Sequence, residues 1–318
     1  MYRNTKNVPS YVFGRGSLAQ LGDLLKPRRE AVDGPVVYFV DHFFRDHELI
    51  GRLPMEKGDQ LHFVDSSSEP EVTRIDAFKE AVSAADSRTP CCVVGIGGGN
   101  ALDTAKAVAN LLTNPGKAED YQGWELVKNP AVYKIGIPTL SGTGSECSRT
   151  CVLTNIPKNL KLGMNSDYTV YDQLLLDPDL LATVPRDQYF YTGIDTFMHC
   201  VESLQGSYRN AIIDAFSVRA VQLCEEIFLS DDMMIASYIG GMAAGNVGVI
   251  HPFSAGLGVV LHVAHGLGNC LALNVLGDIY PKEYKQFRTM IERQGVNLPT
   301  GICKDLTEEQ YEGLYRGC

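Results

Sequence analysis

No Cys-x-x-Cys pair occurs in this chain, although it carries nine cysteines in 318 residues. Cys91 and Cys92 are adjacent inside an apolar run, and Cys147 and Cys151 alone are too few for a zinc knuckle. The pattern reads as free thiols in a reducing compartment. Positive charge is also scarce: 28 Lys and Arg stand against 38 Asp and Glu, a net charge of −10. That balance argues against a nucleic-acid partner, which requires a positive surface. The opening MYRNTKNVPSYVFGRGSL lacks the apolar core of an export signal, so a cytoplasmic location is expected. Charge of either sign is absent from Met233 to Gly277. Such a run is long enough for a membrane hairpin, at about 20 residues per span. Its nine glycines and three histidines argue instead for helices packed closely in a soluble domain, because polar groups at mid-membrane are costly.

What is present fits a globular protein with a real core: 45% apolar and 21% charged residues, with a length suited to one large or two ordinary domains. The first half alternates strand-like and helix-like segments. Residues 34–41 (GPVVYFVD), 61–65 (LHFVD), 91–100 (CCVVGIGGGN) and 134–140 (KIGIPTL) read as strands or strand ends. Residues 71–85 and 101–112 have helical spacing. This alternation predicts a parallel sheet with crossover helices. Beyond LLLDPDLLATVP the pattern is helical almost throughout. The expected architecture is therefore a Rossmann-like α/β domain over 1–177, followed by an all-α domain over 178–318.

An apolar strand ending in GIGGGN and turning into a helix suits a phosphate. Glycines admit the phosphate close to the backbone, and the helix N-terminus offers free N–H groups. Gly95, Gly97, Gly98 and Gly99 do not form a GxGxxG motif, and a plain glycine-rich turn is the competing reading. Asp41 ends an earlier strand, where a carboxylate can take both ribose hydroxyls and repel a 2′-phosphate. It favours NAD over NADP, unless it is simply a turn acid. PTLSGTGSE (138–146) supplies a second loop of hydroxyls and glycines after another strand.

Asp195 and His199 are four apart in GIDTFMHCVES and share one face of a predicted helix. His251 and His265 are fourteen apart, about 21 Å on a straight helix, so one ion cannot join them unless the chain turns. SAGLG (254–258) is the expected break. Three histidines and a carboxylate suit Fe²⁺ or Zn²⁺, and burying them unpartnered would be costly. His262 reads as a core histidine.

GGGNALDTAK, PTLSGTGSE, the lysine of NLKLG, GIDTFMHCVES and the H-x13-H pair of HPFSAGLGVVLHVAHG together resemble the iron-dependent (group III) alcohol dehydrogenase family, in order and spacing over nearly the whole chain. The resemblance implies a dehydroquinate synthase-like fold, with a dinucleotide-binding domain, a helical domain and a catalytic metal in the cleft between them. It implies Asp195, His199, His251 and His265 as metal ligands. It implies Asp41, Gly98, Gly99, Asn100, Asp103, Thr139, Leu140, Thr143 and Lys161 as NAD contacts. The metal would act as a Lewis acid on a substrate hydroxyl while hydride passes to nicotinamide. A small-molecule alcohol or sugar acid is the expected partner and a homodimer the expected assembly, with neither nucleic acid nor membrane involved.

Three departures from the family pattern stand out. Ala255 replaces a histidine often credited with proton relay, and His262 is the candidate substitute in a catalytic role. The linkers at 204–210 and 228–234 are tight. The sequence also stops early. Within the family, the segment around the histidines and the tail from Tyr280 to Tyr315 are most similar to the branch that oxidises the 8-hydroxyl of 3-deoxy-manno-octulosonate (Kdo), a sugar acid of lipopolysaccharide. Arg149, Lys158 and Arg209 are the candidate partners for its carboxylate. A general alcohol or diol dehydrogenase is the alternative. A cyclase resembling dehydroquinate synthase would need cations beside the metal, and 233–277 has none. A non-catalytic structural metal would favour a closed, thiolate-rich site, which this donor set is not.

Overall fold

The computed structural model describes residues 6–158, 160–207, 209–226, 231–243 and 248–317. Parts of both tight linkers, Asn159 of NLKLG and residues 244–247 of the uncharged run lie outside these. The chain divides into two compact units: Met1–Thr139 with Ser145–Ala182, and Leu140–Gly144 with Thr183–Cys318. The boundary expected at 178 falls inside the short turn Pro178–Leu181, and the units part just after it.

The first unit contains β1 (Tyr11–Phe13), α1 (Leu21–Ala31), β2 (Val36–Asp41), β3 (Gln60–Val64), α2 (Val72–Ala85), β4 (Cys92–Gly97), α3 (Gly99–Leu111), β5 (Gly123–Trp124), β6 (Lys134–Pro138), β7 (Thr150–Asn155), β8 (Leu160–Asn165) and β9 (Gln173–Leu176). Six strands pair in the order β1-β9-β6-β4-β2-β3, every pair parallel. β2, β4, β6 and β9 are buried almost without interruption, as a parallel sheet covered on both faces requires. Period-two alternation splits β2 between two cores. Val36, Tyr38 and Val40 pack with Leu21 and Leu25 of α1. Val37 and Phe39 pack with Ile75 of α2 and Ala101, Ala105 and Val108 of α3.

β3 lies on one side of β2 and β4 on the other. The winding therefore reverses between β2 and β4, and ligands of open α/β sheets bind beyond the carboxyl ends at such a reversal. Asp41 and the glycine run end these two strands.

The pattern did not announce β1, α1 or the antiparallel pair β7–β8. β1 has three residues, too few for a period. α1 carries an internal proline, Pro27, which normally argues against a helix. β7 alternates half-buried and buried residues but is rich in polar side chains. It pairs with β8 from Thr150–Asn165 to Asn155–Leu160.

The second unit is helical: α4 (Arg186–Gln205), α5 (Ala211–Glu226), α6 (Asp232–Ala243), α7 (Ile250–Leu261), α8 (His265–Val275), α9 (Pro281–Gln294) and α10 (Glu308–Gly317). α4 packs on α5, α6 and α8, and α7 packs on α8 and α10. Small residues permit the close approach of α6 to α4: a Cβ on Gly240 would stand 2.9 Å from the Thr196 methyl. Among the described residues no helix is long and apolar enough to cross a membrane.

Asp177, fully buried, ties the end of β9 to the turn that follows β1. Its Oδ1 accepts from Gly16 N–H at 2.9 Å and Asp179 N–H at 3.1 Å, and its Oδ2 from Leu18 N–H at 2.9 Å. Removing the carboxylate would strand the buried Leu18 N–H, at roughly 1–3 kcal/mol, and lose the part-buried bonds from Gly16 and Asp179. Asp177→Ala is expected to lower stability by about 3 kcal/mol, read as a shift of the urea unfolding midpoint at unchanged slope.

Candidate metal centre and nucleotide edge

Helix α4 carries Asp195, His199 and Glu202 at spacings of four and three, so all lie along one stripe. Asp195 and Glu202 are buried. His251 stands in the first turn of α7 and His265 opens α8. The expected break at SAGLG does not occur: α7 runs unbroken through those residues to Leu261. Glycine within a helix costs only about 1 kcal/mol, and here α7 is held by its packing on α8 and α10. The chain turns instead at His262, a left-handed cap with φ 55° and ψ 30°. Histidine tolerates that region better than most side chains. Val263 N–H then reaches back to Leu257 O at 3.4 Å. The return places His265 beside His251, with ring centroids 5.5 Å apart.

Three imidazole Nε2 atoms surround one carboxylate oxygen. Asp195 Oδ1 lies 3.3 Å from His251, 3.6 Å from His265 and 3.8 Å from His199. Donor atoms of Asp195, His251 and His265 all fall within 4.8 Å of one another. His199 stands just outside that trio and stacks on His251, with centroids 4.3 Å apart and planes at 19°. Burial favours a neutral Asp195 carboxyl, but the three imidazoles outweigh it and hold the group well below the usual carboxylate range. Burial lowers His199 to about 4. Burial also lowers His251, yet Asp195 and Glu202 overcome it and hold the ring at about 9.

The arrangement fits a divalent cation. His251 Nε2 is buried without a hydrogen-bond partner, and an orphaned imidazole nitrogen beside a buried carboxylate is costly unless something fills the gap. The donors are nitrogen and oxygen, suited to Fe²⁺ or Zn²⁺. The His265 side chain keeps 32% of its exposure, so one flank stays open, as a catalytic rather than a structural centre requires.

His262 is not in a core. It is exposed at the end of α7, which corrects the reading of it as a buried histidine, and its ring is not among the groups around Asp195. Ala255 is half-buried on α7.

In the first unit, Asp41, Gly98, Gly99, Asn100 and Thr139 gather at the carboxyl ends of β2, β4 and β6. Gly97, with φ 151°, allows this: a Cβ there would meet Ala101 at 2.7 Å and Asp41 at 2.9 Å. Asp41 is aimed by two donors, Phe43 N–H at 3.0 Å on Oδ1 and Ser66 Oγ at 2.8 Å on Oδ2. Asn100 Nδ2 donates to Ser68 O at 2.9 Å, and Lys161 pairs with Glu69 at 2.6 Å. The loop DSSSE (65–69) thus braces Asp41, Asn100 and Lys161. Sequence reasoning passed over it, although a serine cluster directly after a strand was the available signal.

Asp103 faces inward. It accepts from Ser145 Oγ and from Val152 N–H at 2.9 Å, and its carboxylate lies 3.4 Å from the buried Lys106 Nζ. It braces β7 against α3 rather than lining an open edge. Leu140 and Thr143 group with the helical unit. There Gly142 N–H donates to Ser237 Oγ at 2.8 Å, and Thr196 donates to Gly142 O at 2.9 Å. A Cβ on Gly142 would lie 1.8 Å from Thr192 O, so only glycine fits. The cations considered for a substrate carboxylate are already matched: Arg149 with Glu125 and Asp167, Lys158 with Glu119, Arg209 with Asp214.

The chain matches the sequence profiles of two known domains, "iron-containing alcohol dehydrogenase" over residues 9–178 and "Fe-containing alcohol dehydrogenase family, C-terminal" over 189–313. It is 35% identical to sulfoacetaldehyde reductase of Bilophila wadsworthia over 64% of this chain and 56% of that protein. The matched region thus spans little more than half of that relative's length. It is 28% identical to NAD-dependent methanol dehydrogenase of Bacillus methanolicus over 82% of this chain and 71% of that one. The crystal structure of sulfoacetaldehyde reductase from Bifidobacterium kashiwanohense in complex with NAD+ superimposes with a TM-score of 0.82 at 23% identity, covering 100% of this chain and 92% of that one. At that identity the likeness speaks for the fold.

Two outcomes follow from the geometry. Asp195→Ala and His251→Ala should each weaken Zn²⁺ binding at least 100-fold, read by isothermal titration of the stripped protein. Asp41→Ser should weaken NAD binding about 10- to 100-fold and narrow the gap to NADP, since a charged ribose contact is worth roughly 1.5–3 kcal/mol; fluorescence titration with both dinucleotides measures it.

Proposed function

This chain belongs to the iron-containing alcohol dehydrogenase family, and on that premise we propose that it is an NAD-dependent oxidoreductase interconverting a primary alcohol and its aldehyde. The supporting observation is the convergence of three imidazole Nε2 atoms on Asp195 Oδ1. Asp195, His199, His251 and His265 would hold the ion, and Asp41, Gly98, Gly99, Asn100, Thr139, Leu140, Thr143 and Lys161 would serve the dinucleotide. When bound, a divalent ion would supply Lewis acidity toward the substrate oxygen, and NAD would supply the hydride acceptor.

The chain's own residues do the positioning. Asp195 supplies the anionic donor, and Asn269 Nδ2 fixes it by donating to Oδ1 at 2.6 Å. Asp41, aimed by Phe43 and Ser66, would accept from ribose hydroxyls. The N-terminus of α3 would offer its free N–H groups to a pyrophosphate.

For the substrate, the 8-hydroxyl of Kdo is the first candidate, on the resemblance of the tail and of the histidine segment. The relative named for sulfoacetaldehyde also acts on a small anionic aldehyde. A neutral alcohol is the second reading. It is favoured by the absence of Lys and Arg from 233–277 and by the acid pairing of Arg149, Lys158 and Arg209.

The test is NADH formation by Fe²⁺- or Zn²⁺-loaded protein on Kdo, 2-hydroxyethanesulfonate, ethanol and 1,2-propanediol, with NADH consumption on the aldehydes. Turnover that falls at least a thousandfold in Asp195→Ala is expected. No NADH change with any member of the panel would sink the proposal, and preference for the neutral alcohols would remove Kdo.

A further inference from the structure

The candidate ligands differ in what stands behind them. Glu202 is fully enclosed against three elements. Its Oε2 faces His251 Nδ1 at 2.5 Å, while its Oε1 accepts from Ile250 N–H at 2.7 Å and from Tyr280 Oη at 3.2 Å. A carboxylate oxygen only accepts, so His251 Nδ1 must carry its proton there. Nε2 is then the only ring nitrogen left to face Asp195.

Ser254 does the same for His265 by a different route. Its hydroxyl, fully buried on α7, lies 2.8 Å from His265 O and 3.0 Å from His265 Nδ1. A hydroxyl has one proton. The backbone carbonyl cannot donate, so that proton is committed to His265 O. The Ser254 oxygen must then accept from Nδ1–H, and the Nε2 lone pair of His265 is turned toward Asp195. The seat for this hydroxyl is tight: a Cβ on Gly268 of α8 would stand 2.5 Å from Ser254 Oγ. His199 has no such support, for its Nδ1 is buried without a partner.

We propose that Glu202 and Ser254 are positioning residues of the metal centre: they hold a proton on Nδ1 of His251 and of His265 and so aim both Nε2 atoms at the place of the ion. The proposal rests on the reading of this cluster as a metal site and adds to it the groups that orient the ligands. Partners of this kind typically contribute 10–100-fold to metal affinity. His199, without one, contributes least among the three imidazoles.

Three measurements on this chain test this. Zn²⁺ affinity of the parent, Glu202→Gln and Ser254→Ala is measured by competition with a chromogenic chelator. Thermal unfolding of each metal-free protein reports its fold. Two-bond nitrogen–proton correlation spectra of the metal-free parent, recorded well above the ordinary imidazole pKa of about 6.5, report the tautomer of His265. The expected results are a 10–100-fold loss of Zn²⁺ affinity in each variant, a smaller loss in His199→Ala than in His251→Ala, and a His265 proton on Nδ1 that moves partly to Nε2 in Ser254→Ala. Affinities within twofold of the parent in both folded variants would overturn the proposal, and so would a parent His265 protonated on Nε2. The tautomer spectrum needs no ion. A parent that bound no Zn²⁺ would therefore refute the metal reading, while His265 would still be judged by its nitrogen shifts.

Discussion

A buried anion is the constraint around which the helical unit is arranged. Asp195 sits in the middle of α4 with 2% of its side-chain surface exposed, and the histidines that face it at 251 and 265 come from a run without charge, Met233 to Gly277. Such a carboxylate persists only if donors or a cation surround it. Asn269 supplies one donor, and three imidazoles face the same oxygen. The reversal at His262, the tight contact of Gly268 with Ser254 and the carboxylate of Glu202 at the head of α7 all bring imidazoles to that oxygen. Several elements that look unrelated along the chain thus answer one electrostatic need.

The α/β unit answers a different constraint. A parallel sheet buried on both faces must reverse its winding somewhere, and the reversal leaves a gap between the crossover connections. Here it opens between β2 and β4. The residues at those strand ends are small or acidic because the gap is narrow: Gly97 touches Asp41 so closely that even a methyl group would collide. The loop after β3 then closes around Asp41 and Asn100 with hydroxyl and carbonyl groups. The chemistry at this edge is therefore mostly polar, with Lys161 its cation, paired with Glu69.

Much of this was legible along the chain, and the reason differs by element. β2, β4 and β6 were visible because strands buried on both faces are unbroken apolar runs. α2 and α3 were visible through their helical period. Asp195 and His199 could be paired because a helix fixes what four residues of spacing mean. α1 was hidden by Pro27, and β7–β8 by polar side chains on a half-buried sheet. SAGLG looked like a break because glycine is a poor helix former in isolation, yet packing on α8 and α10 outweighs that small cost. His262 looked like a core residue because its neighbours are apolar, but it caps a helix at the surface.

The sequence by itself determined the two-part architecture, the order of the strands along the chain, and which side chains have the chemistry to be candidate ligands of a divalent ion or a ribose. Those features are set by local periodicity and residue chemistry, which the chain carries in its order. Only the tertiary structure decided that the turn falls at His262, that Asp103 braces β7, and that Glu202 and Ser254 stand behind two of the histidines. These depend on which surfaces meet after the helices pack, and the distance between residues far apart in the chain is written nowhere in their spacing.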